Sequence, residues 1–476
     1  MANRVDAIVS VETFIISIPR DVPYLGPLRS GEAVNERGYV VRQGNRTIYP
    51  TTDMTLLIKV TGESGRIGWG ECYGIVAPDA TKAIIDDVLG PVIIGRDPGD
   101  AVVIHEDLYD LMRVRGFFGG FYVDALAGVD IALWDLTGKN LGVPVSTLLG
   151  GRRRDTIPAY VSGLPKATLQ ERCELAAAWT AKGFRGIKFA AVVSDEGIVE
   201  EMAALREAVG PDVDIAVDLH WKFEASEAIR LIRRLEAHNL YFAEAPCAPE
   251  DLEGQARVAR GIGTPLALGE ELRTVYEYRP RLEARAMGII QPEMGHAGIT
   301  EFAGITRMAQ AFHMKTIPHA SISAGIFMAA SLQVASALQN VPYHEYQHSV
   351  FDRNLRFTAG DMACAGGAYT VPTGVGIGVE RLAGVGDGFI PRPQIDHGPP
   401  LRDDAHQRQF GMRRHGGTEK STQRGAPFQQ KTLRQKTHSV PLLSAVRPKK
   451  KRRLAGDASP IRRLCPHGAE SSAYRN

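Results

Sequence analysis

The chain has 476 residues, 44% of them hydrophobic and 23% charged, with a net charge of +2. That is ordinary soluble-protein composition, with length for two domains or one large domain with additions. No apolar run reaches the roughly 18 residues of a membrane span. The start, MANRVDAIVSVETF, lacks a signal-peptide pattern, and five scattered cysteines without a CxxC pair suggest neither a disulfide framework nor a zinc site. A cytoplasmic location and no membrane partner are expected.

Residues 1–151 hold strand-like runs (TDMTLLIKVTG, GRIGWGEC) and then a helical run, VDALAGVDIALWDLTGKNLG. The mixture predicts an N-terminal α+β domain ending in helices. Loop residues 20–50, rich in Gly, Arg and Asn, suit a mobile lid, with Tyr24 and Arg29 as candidate substrate-binding residues.

From 152 to 371 short apolar strands alternate with longer amphipathic helices. The strands are IPAYVSG, GIKFAAV, DIAVDLH, LYFAEAP, PLALGEE, GIIQPEM, KTIPHAS and YHEYQHS. Helical patterns such as ASEAIRLIRRLEAHN and LEGQARVARGIG lie between them. Eight strands each feeding a helix predict an α/β fold of the (β/α)8-barrel type, with a doubly wound sheet as the competitor. The segment GAYTVPTGVGIGVERL is expected to be a final strand leaving the barrel. Its glycines lack the strand-turn-helix setting of a dinucleotide fingerprint.

Residues 401–476 carry 18 Lys and Arg against 5 Asp and Glu, whereas residues 1–400 carry 38 against 49. An acidic globule therefore precedes a basic tail, assigned to 398–476 and expected to be disordered. RPKKKRRL within it offers a nucleic-acid-binding reading, but a basic tail without that function is the expectation. A homo-oligomer is expected.

Three strands end on an acid at a fixed interval. Asp218, Glu244 and Glu270 are each 26 residues apart. One barrel repeat takes roughly 25 to 30 residues, so the step marks the same place on successive strands. A single such acid reads equally well as a helix cap or surface ion pair. Three in phase gather at the C-terminal rim, where barrel chemistry resides. Converging carboxylates need a compensating cation, and hard oxygen donors point to Mg²⁺, with Mn²⁺ its close substitute.

The series continues with Glu293, His319 and Glu345, and Lys188 lies upstream on the second strand. Glu293 can orient His319 as a base. Lys188 can exchange protons if its pKa is lowered near a metal. His220, two residues past Asp218, is predicted to share its strand face and to act as an acid. His296, His344 and His348 are expected to be supporting or surface residues.

These residues, with GWGE at 68–71 and DALAGVDIALWDLTGK at 124–139, resemble the mandelate racemase branch of the enolase superfamily over about residues 4–395. The resemblance implies a capping domain made of the N-terminal segment plus a return segment at 372–397. It also implies a divalent metal and abstraction of the proton α to a substrate carboxylate, giving a metal-stabilised enediolate. Where relatives often carry Lys-x-Lys, this chain reads Lys188-Phe189-Ala190, which disfavours two-faced racemisation. Asp218-Leu219-His220 resembles sugar-acid dehydratases of the galactonate, gluconate and mannonate type. Glu293 stands where an Asp is common.

The expected function is thus dehydration of an aldonate or aldarate, a small carboxylate, to a 2-keto-3-deoxy acid. His319 or Lys188 would take the C2 proton and His220 would protonate the leaving C3 hydroxyl. A protonated or proton-sharing Glu345 would bind the intermediate's carboxylate. The alternatives are a racemase, epimerase or lactone cycloisomerase, or a catalytically silent scaffold.

Overall fold

The computed structural model describes residues 6–381; the tail and the end of the return segment lie outside them. The capping domain is built on an antiparallel sheet, β1 (Ile8–Pro19), β4 (Thr52–Gly62) and β5 (Ile67–Cys72), in the order β1-β4-β5. A ribbon of β2 (Tyr39–Val41) and β3 (Ile48–Pro50) stands beside it. Helices α1 (Pro78–Ile84), α2 (Gly90–Ile93), α3 (Ala101–Arg113), α4 (Gly120–Leu141) and α5 (Val145–Leu148) follow.

Helix α4 is buried on nearly every side, so its sequence is apolar all round rather than striped. It presses its Gly128 against β5, where a side chain on Gly70 would collide with the Gly128 carbonyl. The close approach explains the glycines of GWGE. Leu56, Ile58, Val60 and Cys72 of the sheet pack there against Leu126, Val129 and Leu133 of α4.

Eight parallel strands follow: β6 (Thr156–Ser162), β7 (Gly186–Ala190), β8 (Asp214–Asp218), β9 (Leu240–Glu244), β10 (Leu266–Leu268), β11 (Ile289–Ile290), β12 (Lys315–Thr316) and β13 (His344–Tyr346). They pair in sequence from β6 to β12, and β13 pairs with β6. At the β12–β13 seam, Glu345 N donates to Pro318 O at 3.2 Å and Thr316 N to Asn340 O at 3.0 Å. The outer helices are α6 (Leu169–Ala181), α7 (Ile198–Val209), α8 (Ala225–Glu236), α9 (Leu252–Gly261), α10 (Val275–Glu283), α11 (Met294–Ala311) and α12 (Ile326–Ala337), with α13 (His348–Asn354) after β13.

Helix α8 illustrates the local logic. A Glu224–Glu227 capping box starts it, and Ala228, Ile232 and Leu235 recur on its buried face. Tyr160, Ala216, Phe242, Ala267, Ile289 and Ile317 form a separate cluster that fills the lumen. Side chains alternate along a strand, so the residues two positions beyond Ala216 and Phe242, namely Asp218 and Glu244, also turn inward, at the rim.

GAYTVPTGVGIGVERL is two strands rather than the expected one. β16 (Ala368–Thr370) pairs with β6 and with β15 (Ala363–Ala365), and β17 (Val379–Arg381) pairs with β14 (Thr358–Gly360). The glycine turn between them takes the chain back to the cap, where Val145 N donates to Gly376 O at 2.7 Å and Lys139 pairs with Glu380 at 2.6 Å. No helix among the described residues is long and apolar enough to cross a membrane.

Candidate active site

The rim of the barrel and two cap segments bound a cleft of about 120 Å³. Lys188, Asp218, His220, Glu270, His319 and Glu345 line it from the barrel, and Tyr24, Leu25 and Tyr49 from the cap. Glu244 lies fully buried beneath, opposite Asp218 in the β8–β9 register.

Two positive groups knit the acids together. Lys188 Nζ lies 2.7 Å from Glu244 Oε2 and 2.9 Å from Glu345 Oε1. His319 Nδ1 is 2.7 Å from Glu293 Oε2, while Nε2 is 2.9 Å from Glu270 Oε2 and 3.5 Å from Glu345 Oε2. A parallel backbone bridge between Glu293 and His319 fixes the first pair. Asp218 Oδ1 accepts the His220 amide at 2.9 Å and lies 3.1 Å from that ring's Nδ1.

Burial would lower the Lys188 pKa, but Glu244 and Glu345 hold it well above the ordinary lysine value. His319 is likewise raised well above an ordinary histidine, because Glu345 and Glu270 outweigh its burial. Burial also disfavours charge on Glu270, yet His319 beside it holds its pKa down. Asp218 is pushed up by burial and by Glu270, and Glu244 by burial despite Lys188.

Five carboxylates (Asp218, Glu244, Glu270, Glu293, Glu345) thus face two cationic side chains. Glu244 Oε1 is buried without a hydrogen-bond partner. Ligand atoms of Glu244, Glu270 and His319 lie within 4.8 Å of one another. Excess buried negative charge with an orphaned oxygen fits a hard divalent cation. That geometric group differs from the expected trio in one member: Asp218 turns an oxygen to His220 instead.

Several expectations need correction. Arg29 does not line the cleft; it pairs with Asp195 at 3.0 Å, partly in solvent. The loop is organised instead by Arg42, whose buried guanidinium donates to the carbonyls of Tyr24, Gly26 and Pro27 at 2.6–3.0 Å and to Glu32 at 2.7 Å. His220 reaches the cleft, but not by strand alternation. β8 stops at Asp218, and a left-handed turn (φ 49° at His220, 59° at Trp221) brings the ring in. Burial lowers the His220 pKa, which favours the neutral ring at rest.

Lys188 is a held cation, not the lysine of lowered pKa that was expected. Glu345 has its pKa lowered, since Lys188, His319, Ser162 and the Ala320 amide outweigh burial; it is ionised, not protonated. Glu271, next to Glu270, does not line the cleft; its Oε2 accepts Gly269 N. His296 contacts Asp124, His344 contacts Ser331 and His348 contacts the carbonyl of the lining residue Gly163, and none of the three histidines lines the cleft itself.

Four polar lining residues escaped the sequence reading: Tyr49, Ser162, Gln347 and Ser349. Gln347 Nε2 donates to the Tyr24 hydroxyl at 2.9 Å, and Asn45 Nδ2 to the Tyr49 hydroxyl at 2.9 Å. The two tyrosine rings stack 5.7 Å apart, and burial raises both phenol pKa values, so they are neutral hydroxyls. Ser162 lies 26 residues before Lys188 and was within reach of the spacing argument. Gln347 follows Glu345 by the strand period, whereas Tyr49 carries no sequence signal.

Two family models match the chain: the mandelate racemase / muconate lactonizing enzyme N-terminal domain over residues 47–150, and the enolase C-terminal domain-like model over residues 171–382. A D-galactarolactone cycloisomerase from Agrobacterium fabrum is 32% identical, covering 68% of this chain and 88% of its own length. A D-galactonate dehydratase from Xanthomonas euvesicatoria is also 32% identical, covering 70% and 90%. Among solved structures, one from Sinorhizobium meliloti, named as a proposed isomerase, is 57% identical with a TM-score of 0.79, covering 80% of this chain and 98% of that one.

Proposed function

The chain belongs to the mandelate racemase and muconate lactonizing enzyme branch of the enolase superfamily, a family of enzymes, and within it we propose a Mg²⁺-dependent dehydratase of a sugar acid. The observation that carries this reading is the meeting of an oriented histidine, His319, and a second histidine, His220, over one bowl of buried carboxylates. Asp218, Glu244 and Glu270 would hold the Mg²⁺ ion, whose positive charge offsets the negative charge that builds on the substrate carboxylate.

In this reading a divalent cation on Glu270 would offset an acid that helps hold His319 as a cation, leaving a neutral ring, oriented by Glu293, that takes the C2 proton as the freed electron pair moves toward the carboxylate. The C3–O bond then breaks, and His220, having taken up a proton from solvent to become an imidazolium, gives that proton to the hydroxyl, which leaves as water and restores the neutral ring. The enol left behind tautomerises to a 2-keto-3-deoxy acid. Glu345, kept ionised by Lys188, cannot donate to the substrate carboxylate; in this reading it fixes the Lys188 ammonium, which can. Tyr24 and Tyr49 present neutral hydroxyls suited to a polyhydroxy chain.

The second reading is a cycloisomerase or epimerase. Lys188, clamped as a cation at the cleft, would be the proton donor to carbon in this reading, and the cycloisomerase relative supports it. A sugar-acid panel with Mg²⁺ in D₂O separates the two. Dehydration yields a 2-keto-3-deoxy acid. The other reading yields an isomer with deuterium on carbon and no keto acid, and that result across the panel would reject the dehydratase.

A further inference from the structure

The capping domain reaches the barrel rim through buried carboxylates that the chemistry above leaves unused. Glu71 accepts from Ser323 Oγ and the amides of Ala324 and Phe327, beyond β12. Asp53 pairs with Arg353 and meets Asn354, beyond β13. Asp124, on α4 and 1% exposed, holds the β10–α10 loop and the first turn of α11 at once. Its Oδ1 accepts Arg273 Nε at 2.8 Å and lies 2.6 Å from His296 Nδ1, and Oδ2 accepts Arg273 Nη2 at 3.2 Å.

Arg273 lies three residues beyond Glu270, and His296 three beyond Glu293. Each partner grips the backbone next to a site acid. Arg273 Nη1 donates to Glu271 O at 2.9 Å, and the His296 amide donates to Glu293 O at 3.1 Å. The His296 ring stacks on Tyr73 of the cap at 4.0 Å, and Tyr73 N donates to Gly295 O at 3.0 Å. A two-pronged guanidinium–carboxylate pair fixes direction as well as distance.

We propose that Asp124 is a positioning residue: through Arg273 and His296, one cap carboxylate sets the placement of both Glu270 and the Glu293–His319 pair. Its catalytic consequence rests on the function proposed above, because a displacement of about 1 Å in a reacting group costs on the order of 100-fold in rate.

The test compares Asp124→Asn with Asp135→Asn. Asp135 is an equally buried acid of α4, but it serves the Trp69 and Ile377 amides and Lys139, away from the rim. In metal-free, ¹⁵N-histidine-labelled protein, Asp124→Asn should move the His319 imidazole resonances, and Asp135→Asn should leave them in place. Mg²⁺ affinity by calorimetry should fall at least about tenfold, and kcat roughly 100-fold with little change in KM, only in Asp124→Asn. If Asp124→Asn fails to fold, Arg273→Lys keeps the charge, loses the fork and should give the same shifts. Unmoved His319 resonances, or equal changes in Asp135→Asn at matched melting loss, overturn the inference. A wild-type protein without Mg²⁺-dependent dehydration rejects the proposed function instead, and the imidazole spectrum still decides the role of Asp124.

Discussion

Replacing Glu293 by Gln isolates the orienting half of the proposed base. Glu293 is fully buried and does not line the cleft, so the change leaves the substrate's surroundings untouched. What is lost is the charge on a 2.7 Å contact to His319 Nδ1. A buried charge-assisted hydrogen bond contributes roughly 2–3 kcal/mol. At about 1.36 kcal/mol per factor of ten, kcat falls about 30- to 160-fold. KM should stay within about threefold, since the loss is felt only as the proton moves. Removing one acid also lowers the His319 pKa, so the acid limb of the kcat profile shifts to lower pH. Glu293→Asp, which keeps the charge, should fall between. Steady-state assay of keto-acid formation across pH reads all three. A Glu293→Gln enzyme with kcat within about threefold of wild type and an unmoved pH limb refutes the dyad.

His220→Asn should abolish dehydration while C2 hydrogen still exchanges with solvent deuterium; loss of both, read by NMR, would make His220 part of proton abstraction rather than leaving-group protonation. Arg42→Ala removes the guanidinium holding Tyr24, Gly26 and Pro27, and should raise KM about tenfold or more while Mg²⁺ affinity by calorimetry is unchanged; an unchanged KM would free the loop from any part in substrate binding. His105, buried between Asp130 and Glu301 at 3.6 Å each, has its pKa raised to about 9 because those acids outweigh its burial. A folded value above the unfolded one gives stability that is full below about pH 6.5 and is lost as pH rises through about 9, at most about 3 kcal/mol. Denaturant titrations should show that slope in wild type and a flatter one in His105→Gln; parallel slopes would contradict it.

The barrel was legible because its acids keep step with its staves. The 26-residue interval works where strand, helix and loops repeat at constant length, and it locates Asp218, Glu244 and Glu270 at one rim. It breaks to 23 between Glu270 and Glu293, where Glu293 itself caps α11 by accepting Gly295 N. What the interval cannot carry is backbone direction past the strand end. His220 enters the cleft through φ 49°, a conformation that costs a non-glycine residue energy and that no two-residue alternation foretells. Nor can it carry tertiary docking. Tyr49 belongs to a cap ribbon, and Arg29 and Arg42, on either side of β2, have opposite fates: one pairs with Asp195 near solvent, the other is buried among carbonyls. Ionisation states were also beyond the sequence, since Lys188 and Glu345 set each other's charge through a contact of 2.9 Å between β7 and β13.

The central claim is that Asp218, Glu244 and Glu270 form one site for a divalent ion. Titration calorimetry of Mg²⁺ into the purified chain and into Asp218→Asn, Glu244→Gln and Glu270→Gln tests it most directly. One ion per chain in wild type, with affinity reduced at least about 100-fold in every variant, is the result the account predicts. A wild type that takes up no ion, or any variant that binds as wild type does, contradicts it.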